Sequence, residues 1–183
     1  MLDNLVDLIR QNAGESIINN PAIPNARNDE AVKETSNSIL DTLKSALAGG
    51  NVGGLMDMFA KGRVDNNNPV VQQATGNLTA RLGESFGMDP QQASGVAGSL
   101  VPNVLNQLAQ KTADPNDNSF NIQDIFNQLS GGKTSGFDLQ GVLQKFKGKL
   151  DTDGDSDVDL QDLKGLFSGE GSVMGKMKDM LGK

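Results

Sequence analysis

The 183-residue sequence contains no histidine, no cysteine, no tryptophan and no tyrosine. Without histidine the chain lacks the commonest general base and the commonest transition-metal ligand, and without cysteine it has neither disulfides nor thiolate ligands. Acid pairs such as Asp117 and Asp124 are what remains for acid-base chemistry. These absences predict that the protein is not an enzyme, and they restrict metal binding to hard cations held by oxygen ligands.

Positive charge and long apolar runs are also scarce. The 16 Lys and Arg against 23 Asp and Glu give a net charge of −7 without a cationic cluster, so nucleic acid is not an expected partner. No window approaches the ~20 apolar residues of a helix that spans a membrane. The first residues carry acids where a secretory signal has basic residues, which predicts a cytoplasmic protein unless a signal was removed beforehand.

Aromatic residues are limited to seven Phe, whereas glycine accounts for 22 residues. The core must therefore rest mainly on Leu, Val, Ile, Met and Ala, and such a thin core predicts marginal stability without a metal ion or a partner. Apolar residues recur at steps of three and four along the chain, which indicates amphipathic helices. The sequence thus predicts an all-α fold, a bundle of short amphipathic helices with a C-terminal helix-loop-helix unit.

Proline, glycine and capping residues mark where these helices begin and end. We expect a helical domain at 1–111 and a region of short, strongly capped helices at 112–183. Asn68 and Asp89 are predicted N-caps because a proline follows each at the first helical position, and Pro102 either kinks the last helix or begins another. The expected helices of the first domain lie at about 2–19, 28–48, 55–59, 69–86 and 90–111.

Three copies of one short pattern follow in the C-terminal region. They are Phe120–Ile125, Phe137–Val142 and Val158–Leu163, and each has Asn or Asp at the position expected to cap a helix. The apolar residues before the cap and four after it can form a hydrophobic staple. The copies are separated by unequal intervals of 17 and 21 residues, so the pattern represents either an ancestral repeat or simply the way a well-capped helix starts.

The third copy closes a twelve-residue acidic loop, residues 151–162. Ca²⁺ takes six to eight oxygens, and a helix-loop-helix loop supplies them from side chains at positions 1, 3, 5, 9 and 12 and from the carbonyl at position 7. An acidic linker is the alternative, but a linker needs neither this alternation nor the apolar Val158 at position 8. The predicted ligands are the side chains of Asp151, Asp153, Asp155, Asp159 and Asp162 and the carbonyl of Asp157.

This loop resembles the EF-hand loop, and most closely the dockerin variant, in which the last ligand is Asp rather than Glu. The resemblance implies Ca²⁺ as the cofactor, and two positions depart from the pattern. Ser156 replaces the glycine that usually supplies a positive φ, at a cost on the order of 1 kcal/mol. Asp162 is one methylene shorter than Glu, so Mg²⁺ is a second ion that the loop could hold.

The rest of the chain is similar to uncharacterised small helical bacterial proteins that are classed as domains of unknown function. The residues that support this similarity are the Leu-Asp-Asn-Leu-Val start at 2–6, the Asn-Asn-Pro-Ala-Ile-Pro-Asn stretch at 19–25 and the short helices rich in glycine. The similarity implies an all-α fold and indicates no particular function.

Two other segments bear on the C-terminal region. Residues 113–124 align with the acidic loop through the capped pattern, but Ala113 and Pro115 stand at positions 1 and 3, so we expect the fold of such a loop without its ligation. Residues 131–136, Gly-Gly-Lys-Thr-Ser-Gly, superficially match a phosphate-binding loop but lack the preceding glycine and a leading strand.

Taken together, these features predict a non-enzymatic calcium-binding structural or protein-interaction protein, in which the ion orders the C-terminal module. Its partner would be another protein or a second copy of the chain. The alternative is a calcium-responsive sensor that exposes a methionine-rich tail, although such a stripe also suits a helix docked on its own domain. The tail is formed by Val173, Met174, Met177, Met180 and Leu181.

Overall fold

The computed structural model describes residues 2–49, 51–114, 116–134, 139 and 141. This part of the chain contains no β-strand, which confirms the predicted all-α class there. A π-helical turn at Gly14–Ile18 and a 3-10 turn at Asn25–Arg27 lie between the first two helices. None of the helices described has both the length and the apolar character needed to cross a membrane. The helices are α1 (Leu2–Asn12), α2 (Asn28–Gly49), α3 (Val52–Lys61), α4 (Pro69–Phe86), α5 (Pro90–Ala113) and α6 (Ile122–Leu129).

The two proline-marked helix starts are confirmed. The side chain of Asn68 accepts a hydrogen bond from the Val70 N–H at 2.9 Å, and that of Asp89 accepts one from the Gln91 N–H at 2.9 Å. Each bond satisfies an N–H that the first helical turn leaves without an intrahelical partner. The end of α4 also agrees with its prediction, since Gly87 follows it at φ 65°.

Pro102 lies inside α5, which continues as one helix from Pro90 to Ala113. A proline within a helix cannot donate to the carbonyl four residues earlier. Here that carbonyl belongs to the exposed Gly98, where water can serve it, while Val101 and Val104 are fully buried on the other face. The burial of that face holds the helix together through the proline, so no second helix begins at Pro102.

The first helix is shorter than predicted. The expected span was 2–19, but α1 ends at Asn12, and the wider π-helical turn follows. In that turn the Ile18 N–H donates to the Ala13 carbonyl at 3.0 Å, five residues back. Gly14 is a poor helix former, and the extra residue in the turn rotates the apolar stripe. Ile17 is therefore buried while Ile18 is 41% exposed.

Helix α2 packs on α4 through small polar side chains that periodicity did not identify as core. Ser38 and Thr42 are fully buried on α2. The Ser38 hydroxyl donates to the Ala74 carbonyl of α4 at 3.2 Å, and the Asn77 amide donates to the Thr42 hydroxyl at 2.9 Å. Because buried polar groups need such partners, these bonds fix how the two helices sit against each other.

Helix α5 contacts α1, α3 and α4 and holds the connecting segments in place. Its Gln107 amide donates to the Asn12 side chain at 2.6 Å, and its Asn106 side chain accepts the Val64 N–H at 3.1 Å. Phe126 of α6 packs edge-on against Phe59 of α3, with ring centroids 5.9 Å apart. These contacts place α6 on the helical core.

The end of α5 is fixed by a close approach to Gly62, which follows α3 at φ 59°. A Cβ added at Gly62 would lie 2.9 Å from the Cβ of Ala113. Only glycine combines the left-handed backbone with this contact. The position where α5 ends, and where the chain enters residues 114–121, therefore depends on Gly62.

Replacing Gly62 by alanine should destabilise the protein more than the same change at Gly87. Both residues have positive φ, which costs about 1–2 kcal/mol for a residue with a Cβ. An added Cβ at Gly87 meets nothing within 4 Å, so the difference between the variants reports the Ala113 contact. Urea unfolding of Gly62→Ala and Gly87→Ala measures it, and equal losses would contradict this role of Gly62.

Candidate functional site

The predicted calcium ligands lie outside the described residues. The same holds for the methionine-rich tail, and the predicted domain boundary at residue 112 also stays a prediction. Of residues 113–124, the segment that aligns with the acidic loop, the structure describes all but residue 115. The ligands in question are Asp151, Asp153, Asp155, Asp157, Asp159 and Asp162.

Helices α5 and α6 flank this segment in the register that the alignment gives. Helix α5 ends at Ala113, which is position 1 of the aligned loop, and α6 begins at Ile122, which is position 10. Asn121 caps α6 by accepting the Gln123 N–H at 2.8 Å. Phe120 is 4% exposed and Ile125 is 1% exposed. The predicted cap is therefore confirmed in the first copy, and both predicted staple residues are buried there.

The loop between α5 and α6 folds on hydrogen bonds made by its own acidic side chains. Asp114 accepts the Asn116 N–H at 2.8 Å, and Asp117 accepts the Ser119 N–H at 2.9 Å. The loop is also tied to α1, because the Asn4 amide donates to the Ser119 carbonyl at 2.7 Å. Such bonds from Asp to the backbone two residues on are a usual way of closing a turn. The carboxylates of this loop thus bind backbone N–H groups.

Asp117 stands at position 5 of the aligned loop, where the acidic loop has Asp155. The Ser119 hydroxyl donates to its Oδ1, and the Lys111 ammonium lies 2.9 Å from its Oδ2. These donors, the hydroxyl first and the ammonium second, lower the pKa of Asp117 to about 2. The countercharge of this carboxylate is therefore a lysine from the preceding helix.

Carboxylates elsewhere in this part of the chain are dispersed. Over residues 2–49, 51–114 and 116–134, Asp and Glu form no group of three placed to hold a metal ion. Two of them, Glu34 and Asp41 of α2, form ion pairs with Arg81 of α4 at 3.0 Å and 2.7 Å. Ion pairs of this kind join helices and orient side chains.

Gly132, the first residue of the Gly-Lys-Thr sequence at 132–134, belongs to the turn that ends α6. Gly131 and Gly132 have φ of 64° and 90°, and the Gly132 N–H donates to the Asn127 carbonyl of α6 at 2.7 Å. This is a Schellman C-cap. A phosphate-binding loop instead joins a strand to the start of a helix, so the segment does not have that geometry.

Residues 83–87 spell Gly-Glu-Ser-Phe-Gly, the spacing of a nucleophile elbow. In such an elbow the serine sits on a sharp turn between a strand and a helix. Ser85 instead lies in the last turn of α4, and its carbonyl accepts a bond from Arg27 at 2.8 Å. The segment therefore does not have the geometry of a nucleophile elbow.

An open groove of about 560 Å³ lies between α4 and α5. Its lining carries no ionisable side chain, so it can offer hydrogen bonds but neither acid-base groups nor charged metal ligands. An added Cβ at Gly76 or Gly98 would meet nothing within 4 Å, which shows that the groove is open there. Its polar side chains are those of Asn66, Gln72, Thr75, Thr79 and Ser94.

Comparisons with protein family models, with curated proteins and with solved structures gave no match to this chain. Its function must therefore be inferred from its own residues. The sequence interpretation missed two contacts in the C-terminal part, the Lys111–Asp117 ion pair and the side-chain bonds of Gln123. The six-residue spacing of Lys111 and Asp117 is not a helical neighbour spacing, so periodicity could not have found that pair.

The bonds to Asp117 predict a pH-dependent contribution to stability. The pKa of Asp117 is about 2 in the folded protein and about 3.9 in the unfolded chain. Its bonds therefore stabilise the fold fully at pH values above about 3.9, and this stabilisation is lost as the pH falls toward 2. Asp117→Asn should therefore lower the urea midpoint at neutral pH, and the difference from the wild type should narrow between pH 4 and pH 2. Glu84→Gln, which removes an exposed carboxylate on α4, is the control and should change the midpoint less.

The cause of the low pKa of Asp117 can be tested by NMR titration of the Asp117 carboxyl carbon. Ser119→Ala should raise the pKa of Asp117 more than Lys111→Met does, because the hydroxyl is the larger cause. The reverse order, or a pKa that neither change alters, would contradict the assigned bonds.

Proposed function

We propose that the protein is a non-enzymatic calcium-binding protein whose ion, held by residues 151–162, orders the C-terminal module as a surface for another protein or a second copy of the chain. The observation behind the proposal is the spacing of Asp151, Asp153, Asp155, Asp159 and Asp162, which matches the oxygen positions of a helix-loop-helix calcium loop. EF-hand-like ligation follows from this spacing, and Mg²⁺ is the competing ion.

The local structure of the first copy of the capped pattern, Phe120–Ile125, supports the proposal. There the pattern begins α6, with Asn121 as its cap and Phe120 buried. By the same register, Asp159 would cap the helix that leaves the acidic loop and Val158 would enter the core. Ligation and packing would then be coupled, so that binding energy becomes folding energy for this module.

The two loops differ in where a countercharge comes from. In the first, one carboxylate at position 5 is paired with the Lys111 ammonium. The acidic loop has six aspartates and no basic residue within residues 151–162. Like charges at such short spacing repel one another, and a divalent ion relieves this repulsion by binding several of them at once. The composition of the acidic loop is therefore suited to an ion.

Calcium titration of the metal-free protein tests the proposal. Calcium at about 100-fold over its Kd should stabilise the fold by about 2.7 kcal/mol, seen as a higher Tm. Replacing Asp151 and Asp155 by alanine should abolish both the binding heat and the rise in Tm. Glu170→Ala combined with Asp179→Ala removes two charges outside the loop and should leave both unchanged. No heat and no rise in Tm in the wild type would end the proposal, and a parallel Mg²⁺ titration identifies the preferred ion.

The alignment also places Lys149 where the first copy has Lys111, two residues before the loop. We expect its ammonium to pair with Asp155 in the metal-free protein, as Lys111 does with Asp117, and to compete with the ion. Lys149→Met should then tighten calcium binding by more than Lys164→Met, which removes a charge at the other end of the loop. Equal effects of the two changes would mean that Lys149 acts only through general charge.

A further inference from the structure

The groove between α4 and α5 is lined by uncharged residues that follow one stripe on each helix. Those on α4 lie at i, i+3, i+4 and i+7 and those on α5 at i, i+4 and i+8, spacings that keep side chains on one side of a helix. Val71, which is 2% exposed, and Asn66 complete the lining, so no other element in the described part of the chain lines the groove. We call this surface the neutral face, and its residues are Gln72, Thr75, Gly76 and Thr79 of α4 and Ser94, Gly98 and Pro102 of α5.

The neutral face belongs to a wider part of the chain that has no charge. Residues 66–80 and 90–110 contain no Asp, Glu, Lys or Arg, although 21% of the chain is charged. Their exposed positions carry only Gln, Asn, Ser, Gly, Pro and Ala. The lack of charge along the groove is not a property of the surface as a whole, since exposed positions of α2 carry Asp29, Glu30, Lys33, Asp41 and Lys44.

This composition is typical of the centre of a protein–protein interface. Charged residues are depleted there, because a charge loses its hydration on binding and is costly unless it finds a partner. The free surface of a small domain is instead commonly about a quarter to a third charged. Gly76 and Gly98 also allow close approach, because an added Cβ at either would meet nothing within 4 Å.

We propose that the neutral face binds the neutral face of a second copy of the chain. Each copy has a net charge of −7, so two copies repel each other, and this repulsion is weakest where the facing surfaces carry no charge. In a twofold dimer a side chain near the axis meets its own copy. Two carboxylates would repel each other there, whereas two amides or two hydroxyls can form a hydrogen bond. A charged partner would gain no ion pair at this face.

This association does not depend on the proposed calcium site. The neutral face lies on α4 and α5, which pack on each other and on α1, α2 and α3. Dimerisation is therefore expected without calcium, and it can be measured in EDTA. Because salt screens the net charge of the two copies, a higher salt concentration should strengthen the dimer, whereas it would weaken an association driven by opposite charges.

Charges placed at Ser94 test the proposal. Ser94 is exposed on α5 and lines the groove, and both Glu and Lys are better helix formers than Ser, so Ser94→Glu and Ser94→Lys should fold. Each variant buries an unpaired charge in the dimer, so each should raise the dimer Kd by at least about tenfold, whatever the sign of the charge. Ser45, exposed on α2, is the matched control. Ser45→Glu should weaken association slightly and Ser45→Lys should strengthen it slightly, because both act only through net charge.

Sedimentation equilibrium of the full chain in EDTA, over a range of protein and salt concentrations, gives the Kd of each variant, and thermal unfolding gives its Tm. Weaker dimers in both Ser94 variants, with small opposite shifts in the Ser45 pair, support the proposal. A dimer that charges at Ser94 do not weaken overturns it, and so does one whose affinity follows the sign of the charge at Ser94. A wild type that is monomeric under all conditions also overturns it. A lower Tm in both Ser94 variants would then assign the face to residues of the same chain, and an unchanged Tm would leave it for a different protein.

Discussion

Close packing of helices through small side chains is the constraint on which the rest of this structure depends. With seven Phe and no Trp or Tyr, the chain cannot fill wide gaps between helices. Helix α2 therefore meets α4 through buried Ser38 and Thr42, whose hydroxyls are bonded across or along the helices. Polar contacts of this kind have one geometry in which all groups are satisfied, so they give the thin core a defined arrangement.

Close packing through small residues also determines where the C-terminal region begins, because it sets the end of α5. This helix contacts α1, α3 and α4, and its end is set by the close approach of Ala113 to Gly62. The first helix-loop-helix thus starts from a fixed point, and Lys111 and Asn4 hold its loop. The loop at 113–124 is closed with an internal ammonium, whereas the acidic loop at 151–162 has six aspartates and no basic residue, and for it we propose a divalent ion as the countercharge.

Local signals predicted the helices well because their causes are local. Asn68, Asp89 and Asn121 act as caps through bonds to N–H groups two residues on, which a short stretch of sequence is enough to encode. The polar face of α2 was missed because it depends on α4, which is distant in sequence. The end of α1 was missed because the apolar spacing continues past Gly14, where the helix itself does not. The ion pair of Lys111 and the bonds of Gln123 join residues that no helical period brings together. The ligand positions of the acidic loop remain a prediction from spacing.

Binding of one cation at residues 151–162, and of none at residues 113–124, can be measured by calcium titration of the ¹⁵N-labelled protein followed by NMR. The largest shifts should fall on amides of the acidic loop, Gly154 and Val158 among them, while the amides of Asn116, Asp117 and Ser119 keep their positions. Shifts concentrated on residues 113–124, or spread evenly over exposed carboxylates throughout the chain, would contradict it.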